Sequence, residues 1–139
     1  MLFKGKSICA IDKDPVISAE KGNSHILKNP DRIHVYQYHI DGEIINDSIG
    51  KRCDYIVEAE TSAKATAYLI ELKGSDIRGA GEQIENTISR IPALNDYIIK
   101  CRIVANKART HEIESTEIKR LKKKYRDTLI RTKKFEETL

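Results

Sequence analysis

Two apolar runs, DYIVEA at positions 54–59 and AYLIEL at 67–72, are separated by the polar stretch ETSAKAT. Short runs rich in β-branched and aromatic residues, joined by a polar link, predict an antiparallel hairpin. With the turn centred near Ser62-Ala63, Glu58 faces Ala67 and Asp54 faces Glu71. Opposed side chains on one face of such a pair have Cβ atoms about 5 Å apart. The hairpin therefore sets one acidic side chain against another, and this pairing constrains the chain more than any other feature.

The remaining elements are arranged around it. Positions 33–40 (IHVYQYHI) predict a strand bounded by Asn29-Pro30-Asp31 and Asp41-Gly42, followed by a polar stretch through Ser48-Ile49-Gly50. After the hairpin, Lys73-Gly74-Ser75 breaks the strand and Ser75 or Asp76 is placed to cap a helix. Ala80, Ile84, Ile88 and Ile91 recur at helical spacing on one buried face, and Pro92 ends the helix. Positions 97–105 (YIIKCRIVA) are dense enough in apolar residues for a central strand. Ser115 is placed to cap a second helix to about Arg126, with Ile118, Leu121 and Tyr125 inward, and 128–132 (TLIRT) predicts a last short strand. Between positions 11 and 29 the one expected element is a short helix over 16–21. The order β-β-β-α-β-α-β predicts an α/β fold, a mixed β-sheet flanked by helices, and 139 residues without repeat or linker fit a single domain.

Hydrophobic residues at 40% and charged residues at 33% exclude a disordered chain. No apolar run is long enough to span a membrane, and Lys4 and Lys6 interrupt the first ten residues where a signal peptide would need a sustained apolar core. Cys9, Cys53 and Cys101 are odd in number and widely spaced, which argues against a disulfide framework or a zinc site. Cys53 and Cys101 are expected as buried thiols in a cytoplasmic protein. Positions 98–139 hold 13 Lys and Arg against six Asp and Glu, whereas 1–97 hold 12 against 15. A basic C-terminal part beside an acidic N-terminal part suits a metal site next to a phosphate-binding surface.

The acidic pair carries the chemistry. Two carboxylates at cross-strand distance repel, and a divalent cation between them removes the conflict; hard oxygen ligands select Mg²⁺ or Mn²⁺. Glu71 and Lys73 lie two apart on one strand and share a face, while Leu72 points into the core and leaves its backbone carbonyl to the metal. The Lys73 ammonium is placed to orient a nucleophile or to stabilise charge on a phosphate. A second Glu-x-Lys, Glu117-Ile118-Lys119, falls on a predicted helix where its two charged side chains diverge. Glu58 and Glu60 are expected to face solvent near the turn. The four histidines show no ligand spacing, and Gly79 and Gly81 are expected to serve close packing at the helix start.

Asp54 followed after a hairpin by Glu71-Leu72-Lys73 resembles the PD-(D/E)XK nuclease superfamily, which includes restriction endonucleases, Holliday junction resolvases and repair nucleases; Cys53 stands where many members have proline. The resemblance implies a restriction-endonuclease-like core and a metal-dependent nuclease that hydrolyses phosphodiester bonds, above all in DNA. It implies Asp54 and Glu71 as metal ligands, Lys73 as the catalytic lysine, and Gln83 as the polar residue on the following helix directed back to the site. Glu20 is the candidate for the metal-associated glutamate that members carry on a helix before the hairpin. A homodimer or a partner subunit is the expected means of holding a duplex. Lys51 and Arg52, and the stretch Lys119, Arg120, Lys122, Lys123, Lys124 and Arg126, are the expected phosphate contacts. The alternatives are a nucleic-acid-binding or assembly module of the same fold that does not cut, and a nuclease for RNA or for junctions.

Overall fold

The β-branched run Tyr55–Ala59 (β4) and the eight residues Thr66–Lys73 (β5) pair antiparallel in the computed structural model, which describes residues 1–45 and 52–139. Their register sets Glu58 against Ala67 and Tyr55 against Ile70, so the next position outward opposes Asp54 to Glu71, as expected from the hairpin. The stretch through Ser48-Ile49-Gly50 and the expected phosphate contact Lys51 lie outside the described residues. Before the hairpin come β1 (Val16–Glu20), β2 (Asn23–Lys28) and β3 (Val35–His39). After it come α1 (Ile77–Arg90), a 3-10 turn (Pro92–Asp96), β6 (Ile98–Ala105), α2 (Thr110–Ile113), α3 (Thr116–Lys124), β7 (Thr128–Thr132) and β8 (Lys134–Thr138).

The molecule is mixed α/β. Five strands in the order β3-β4-β5-β6-β7 form the larger sheet, antiparallel through β5 and parallel from β5 to β7, with α1 as the crossover between β5 and β6. One face packs Ile56, Leu69, Cys101 and Ile103 against Ile77, Ala80 and Ile84 of α1 and Ile118 and Leu121 of α3. The other face packs Val57, Ile70, Leu72 and Val104 against Val16, Leu27 and Phe135 of a second sheet, β1-β2-β8. Both helix starts follow the sequence signals: Asp76 accepts from the Gly79 N–H at 2.9 Å and Ser115 caps α3, each cap contributing about 1 kcal/mol. A Cβ at Gly81 would stand 3.1 Å from the Ile118 methyl, so this glycine sets the approach of α1 and α3.

The second sheet departs from expectation. Positions 16–21 are not a helix: Val16–Glu20 pairs with Asn23–Lys28 across the turn Lys21-Gly22, whose φ angles are both positive (53° and 78°) as a tight two-residue hairpin requires. The alternation was hidden because the inward face of this hairpin is largely polar. Ser18, Asn23 and His25 are buried while Ile17 is exposed. Cross-layer hydrogen bonds make the burial of Ser18 tolerable: Gln37 Nε2 donates to Ile17 O (2.8 Å) and Ser18 Oγ (2.9 Å). The final strand, β8, pairs parallel to β2 and has a single apolar anchor, Phe135. Glu58 also differs from expectation. It is 1% exposed and accepts hydrogen bonds from the Tyr38 and Tyr97 hydroxyls (2.9 and 2.7 Å) and the Leu2 N–H (2.7 Å), which hold its carboxyl below the ordinary range. Glu60 is exposed as expected.

Candidate active site

Asp54 is fixed by the end of the β4–β5 hairpin. Its N–H reaches both Ile70 O (3.1 Å) and Glu71 Oε1 (3.0 Å), and its Oδ2 accepts from the Leu72 N–H at 2.8 Å. The hairpin register therefore holds the Asp54 and Glu71 carboxyls in contact in a space almost closed to water, 7% and 1% exposed. Burial first, and the Asp54 charge second, push the Glu71 carboxyl up to about 9; the Lys73 ammonium opposes this only in part. Lys73 Nζ lies 3.7 Å from Glu71 Oε2, on the shared strand face expected from the spacing, and stays partly open to solvent. The Leu72 side chain is buried in the core of the opposite face.

Glu20 joins this pair from β1 and not from a helix. It stands at the last position before the Lys21-Gly22 turn, and its carboxyl hydrogen-bonds to Asp54. Burial and then the Asp54 charge raise it above its ordinary range. Its Oε2 is buried with no hydrogen-bond partner. Opposite Glu20 in the hairpin register stands Asn23, 1% exposed, whose Nδ2 donates to Lys73 O at 2.9 Å and whose Oδ1 is likewise buried and unpartnered. Sequence reasoning missed Asn23. The signal that would have found it is the Lys-Gly dipeptide at 21–22, which marks a turn and makes 20 and 23 partners.

Gln83 lies on the side of α1 that faces the segment leading to Asp54. Its Nε2 donates to Arg52 O at 3.0 Å, and its Oε1 is a third buried oxygen without a partner. One turn on, Thr87 Oγ1 accepts from the Cys53 N–H at 2.7 Å and donates to Gln83 O at 2.8 Å. Helix α1 thus clasps the backbone of residues 52–53 and aims Asp54; Thr87 was not foreseen. Arg52 pairs with Asp41 at 2.9 Å. Cys53 and Cys101 are buried free thiols, with Cys53 pushed well up by burial.

Glu20, Asp54 and Glu71 stand in contact pairwise, Asp54 in the middle, and not around one point. Among the described residues no group of three or more His, Cys, Asp and Glu side chains is arranged to hold a metal ion. The donors nonetheless suit a hard cation: three carboxyls with two of them raised, and buried oxygens of Glu20 and Asn23 that lack a partner. A cleft of about 400 Å³ lies at the far end of α1, lined by residues such as Glu85, Ser89, Asn95 and Lys124, and includes none of these groups. Among the described residues no helix is long and apolar enough to cross a membrane. No protein-family model, curated protein or solved structure matches the chain.

Proposed function

We propose that the chain is a metal-dependent nuclease of the PD-(D/E)XK type that hydrolyses phosphodiester bonds, most of all in DNA. The observation that carries this reading is the register of the β4–β5 hairpin, which sets Asp54 against Glu71 with Lys73 3.7 Å from the latter. The antiparallel β4–β5 pair followed by the β5-α1-β6 crossover supports a restriction-endonuclease-like core. In this reading Asp54 and Glu71, with the Leu72 carbonyl, hold Mg²⁺ or Mn²⁺, and Glu20 completes the acidic set from the hairpin turn. Bound there, the cation supplies charge against a phosphate and acidity to a water molecule. Lys73 presents its ammonium to a phosphate oxygen as negative charge builds. Gln83 and Thr87 position Asp54 through the backbone of Arg52 and Cys53, and Asn23 holds the backbone at Lys73. The deciding assay is cleavage of duplex DNA with Mg²⁺ or Mn²⁺ by wild type and Lys73→Ala. Loss of cleavage in the variant supports the reading; equal cleavage ends it.

A second reading is a nucleic-acid-binding module that does not cut. The pairwise arrangement of the carboxyls favours it: Glu20 and Glu71 each meet Asp54, and among the described residues no three His, Cys, Asp or Glu side chains are arranged to hold one ion. Calorimetric titration with Mn²⁺ separates the two: binding lost in Asp54→Asn supports the nuclease, and no binding by wild type supports the module.

A further inference from the structure

Strands β5, β6 and β7 are parallel, so their C-terminal ends open along one edge of the larger sheet. That edge is where open α/β sheets receive ligands. Here the backbone is stitched crosswise. The Asn106 N–H donates to Gly74 O at 2.9 Å, the Lys133 N–H to Ala105 O at 2.9 Å, and the Ser24 N–H to Lys133 O at 3.0 Å. Together with the Asn23 bond to Lys73 O, these bonds join the Lys21-Gly22 turn, the exit of β5 at Glu71 and Lys73, the loop at 106–109 and the β7–β8 corner into one rim.

The rim carries Lys21, Lys107, Arg109 and Lys133, all exposed. Lys107, Arg109 and Lys133 enter no ion pair or side-chain hydrogen bond among the described residues. Lys133 is held out at the corner with φ of 63°. The most lysine-rich element is differently placed. Helix α3 runs alongside α1, with Glu117 near Gly81 and Arg120 and Lys124 near Glu85, so its basic end leads away from the N-terminal end of α1. Two of its cations are already taken up by Glu85.

A cluster of carboxyls repels a polyanion unless cations flank it, and the rim supplies those cations on a scaffold bonded directly to the site. The rim segments at 21–24, 73–78, 105–109 and 131–134 contain no Phe, Tyr or Trp. Single-strand binders rely on stacking rings, whereas a duplex can be held without them, through contacts to its phosphates. We infer that this strand-end rim, and not the lysine-rich helix α3, carries the phosphate backbone of duplex DNA across the carboxyl site. The choice of DNA rests on the nuclease reading.

The test is fluorescence anisotropy of a labelled DNA duplex, and of one of its strands alone, with the full chain in EDTA over a series of KCl concentrations. The variant Lys107→Gln/Arg109→Gln/Lys133→Asn, with asparagine chosen for the left-handed corner, is expected to weaken duplex binding about tenfold or more at low salt. It is also expected to flatten the slope of log Kd against log salt by about 2–3. Arg109→Gln alone, which leaves the corner untouched, is expected to cost about threefold. Lys119→Gln/Lys122→Gln/Lys123→Gln on α3 is expected to stay within about twofold of wild type. Wild-type duplex binding by both the triple rim variant and Arg109→Gln, a larger loss from the α3 variant, or equal affinity for the single strand would each overturn the inference. EDTA removes cleavage from the readout, so failure of the nuclease reading appears separately, as duplex held on the rim and left uncut with Mg²⁺.

Discussion

Two buried charged clusters, one between the two sheets and one at the end of the β4–β5 hairpin, are built on opposite principles. At the inter-sheet face, Arg102 is 2% exposed and bonds Glu137 through Nε (2.7 Å) and Nη2 (3.0 Å) and Asp127 through Nη1 (2.9 Å). The buried His25 adds a 2.6 Å contact to Glu137, and the guanidinium lies 5.6 Å from the Tyr68 and Phe135 ring centres. These partners overcome desolvation and bring Glu137 down to about 2. At the other cluster Glu20 and Glu71 each meet Asp54, with only the Lys73 ammonium beside Glu71, and Glu71 rises to about 9. A balanced buried cluster joins layers; an unbalanced one leaves like charges uncompensated, and such imbalance is a mark of functional sites.

The largest effect that would break this contrast is at Arg102. Arg102→Leu removes the guanidinium from Glu137, which keeps only His25, and from Asp127, which keeps Lys100, and is expected to cost about 3–5 kcal/mol in urea unfolding. A loss no larger than that of a surface substitution would mean that the balanced cluster is not structural. Next comes Lys73→Ala, for which the proposed nuclease activity predicts a loss of DNA cleavage of about 10²–10³-fold with little change in unfolding midpoint. A variant that loses stability but not rate would exchange the roles of the two clusters.

Glu71→Gln keeps the acceptor for the Asp54 N–H and removes the repulsion. It is expected to stabilise the metal-free protein by about 1–2 kcal/mol above neutral pH. The sign follows from linkage. Raised from 4.5 to about 9, Glu71 binds more protons folded than unfolded between those values, so its contribution to stability falls as pH rises through that window. The benefit of the glutamine should vanish below pH 4.5. Glu137 acts in reverse. Lowered from 4.5 to about 2, its contribution is complete above 4.5 and is lost as pH falls toward 2. Thermal melts across pH should therefore show the two clusters as opposing slopes, and the Glu71 slope should vanish in Glu71→Gln. The smallest effect is at Asn23. Asn23→Ala removes one hydrogen bond to the Lys73 backbone, at about 1 kcal/mol, and is expected to lower cleavage about tenfold; an unchanged rate would leave Asn23 as packing alone.

Periodicity and turn chemistry by themselves determined the hairpin register, the burial of α1 through Ala80, Ile84 and Ile88, both helix caps, the central place of β6 and the pairing of Asp54 with Glu71, because each depends on residues near in sequence or on a two- or 3.6-residue repeat. Only the tertiary structure decided that positions 16–20 form a strand, that Glu20 and Asn23 reach the site from its turn, that Glu58 is buried, and that Arg102 lies between two sheets. In each case a polar residue sits where an apolar one would be read as inward. Its partner is far away in the chain: Asp54 for Glu20, the Lys73 carbonyl for Asn23, Tyr38 and Tyr97 for Glu58, Glu137 for Arg102. A hydrophobic pattern records which faces leave water, but not which distant group makes the burial of a polar side chain tolerable.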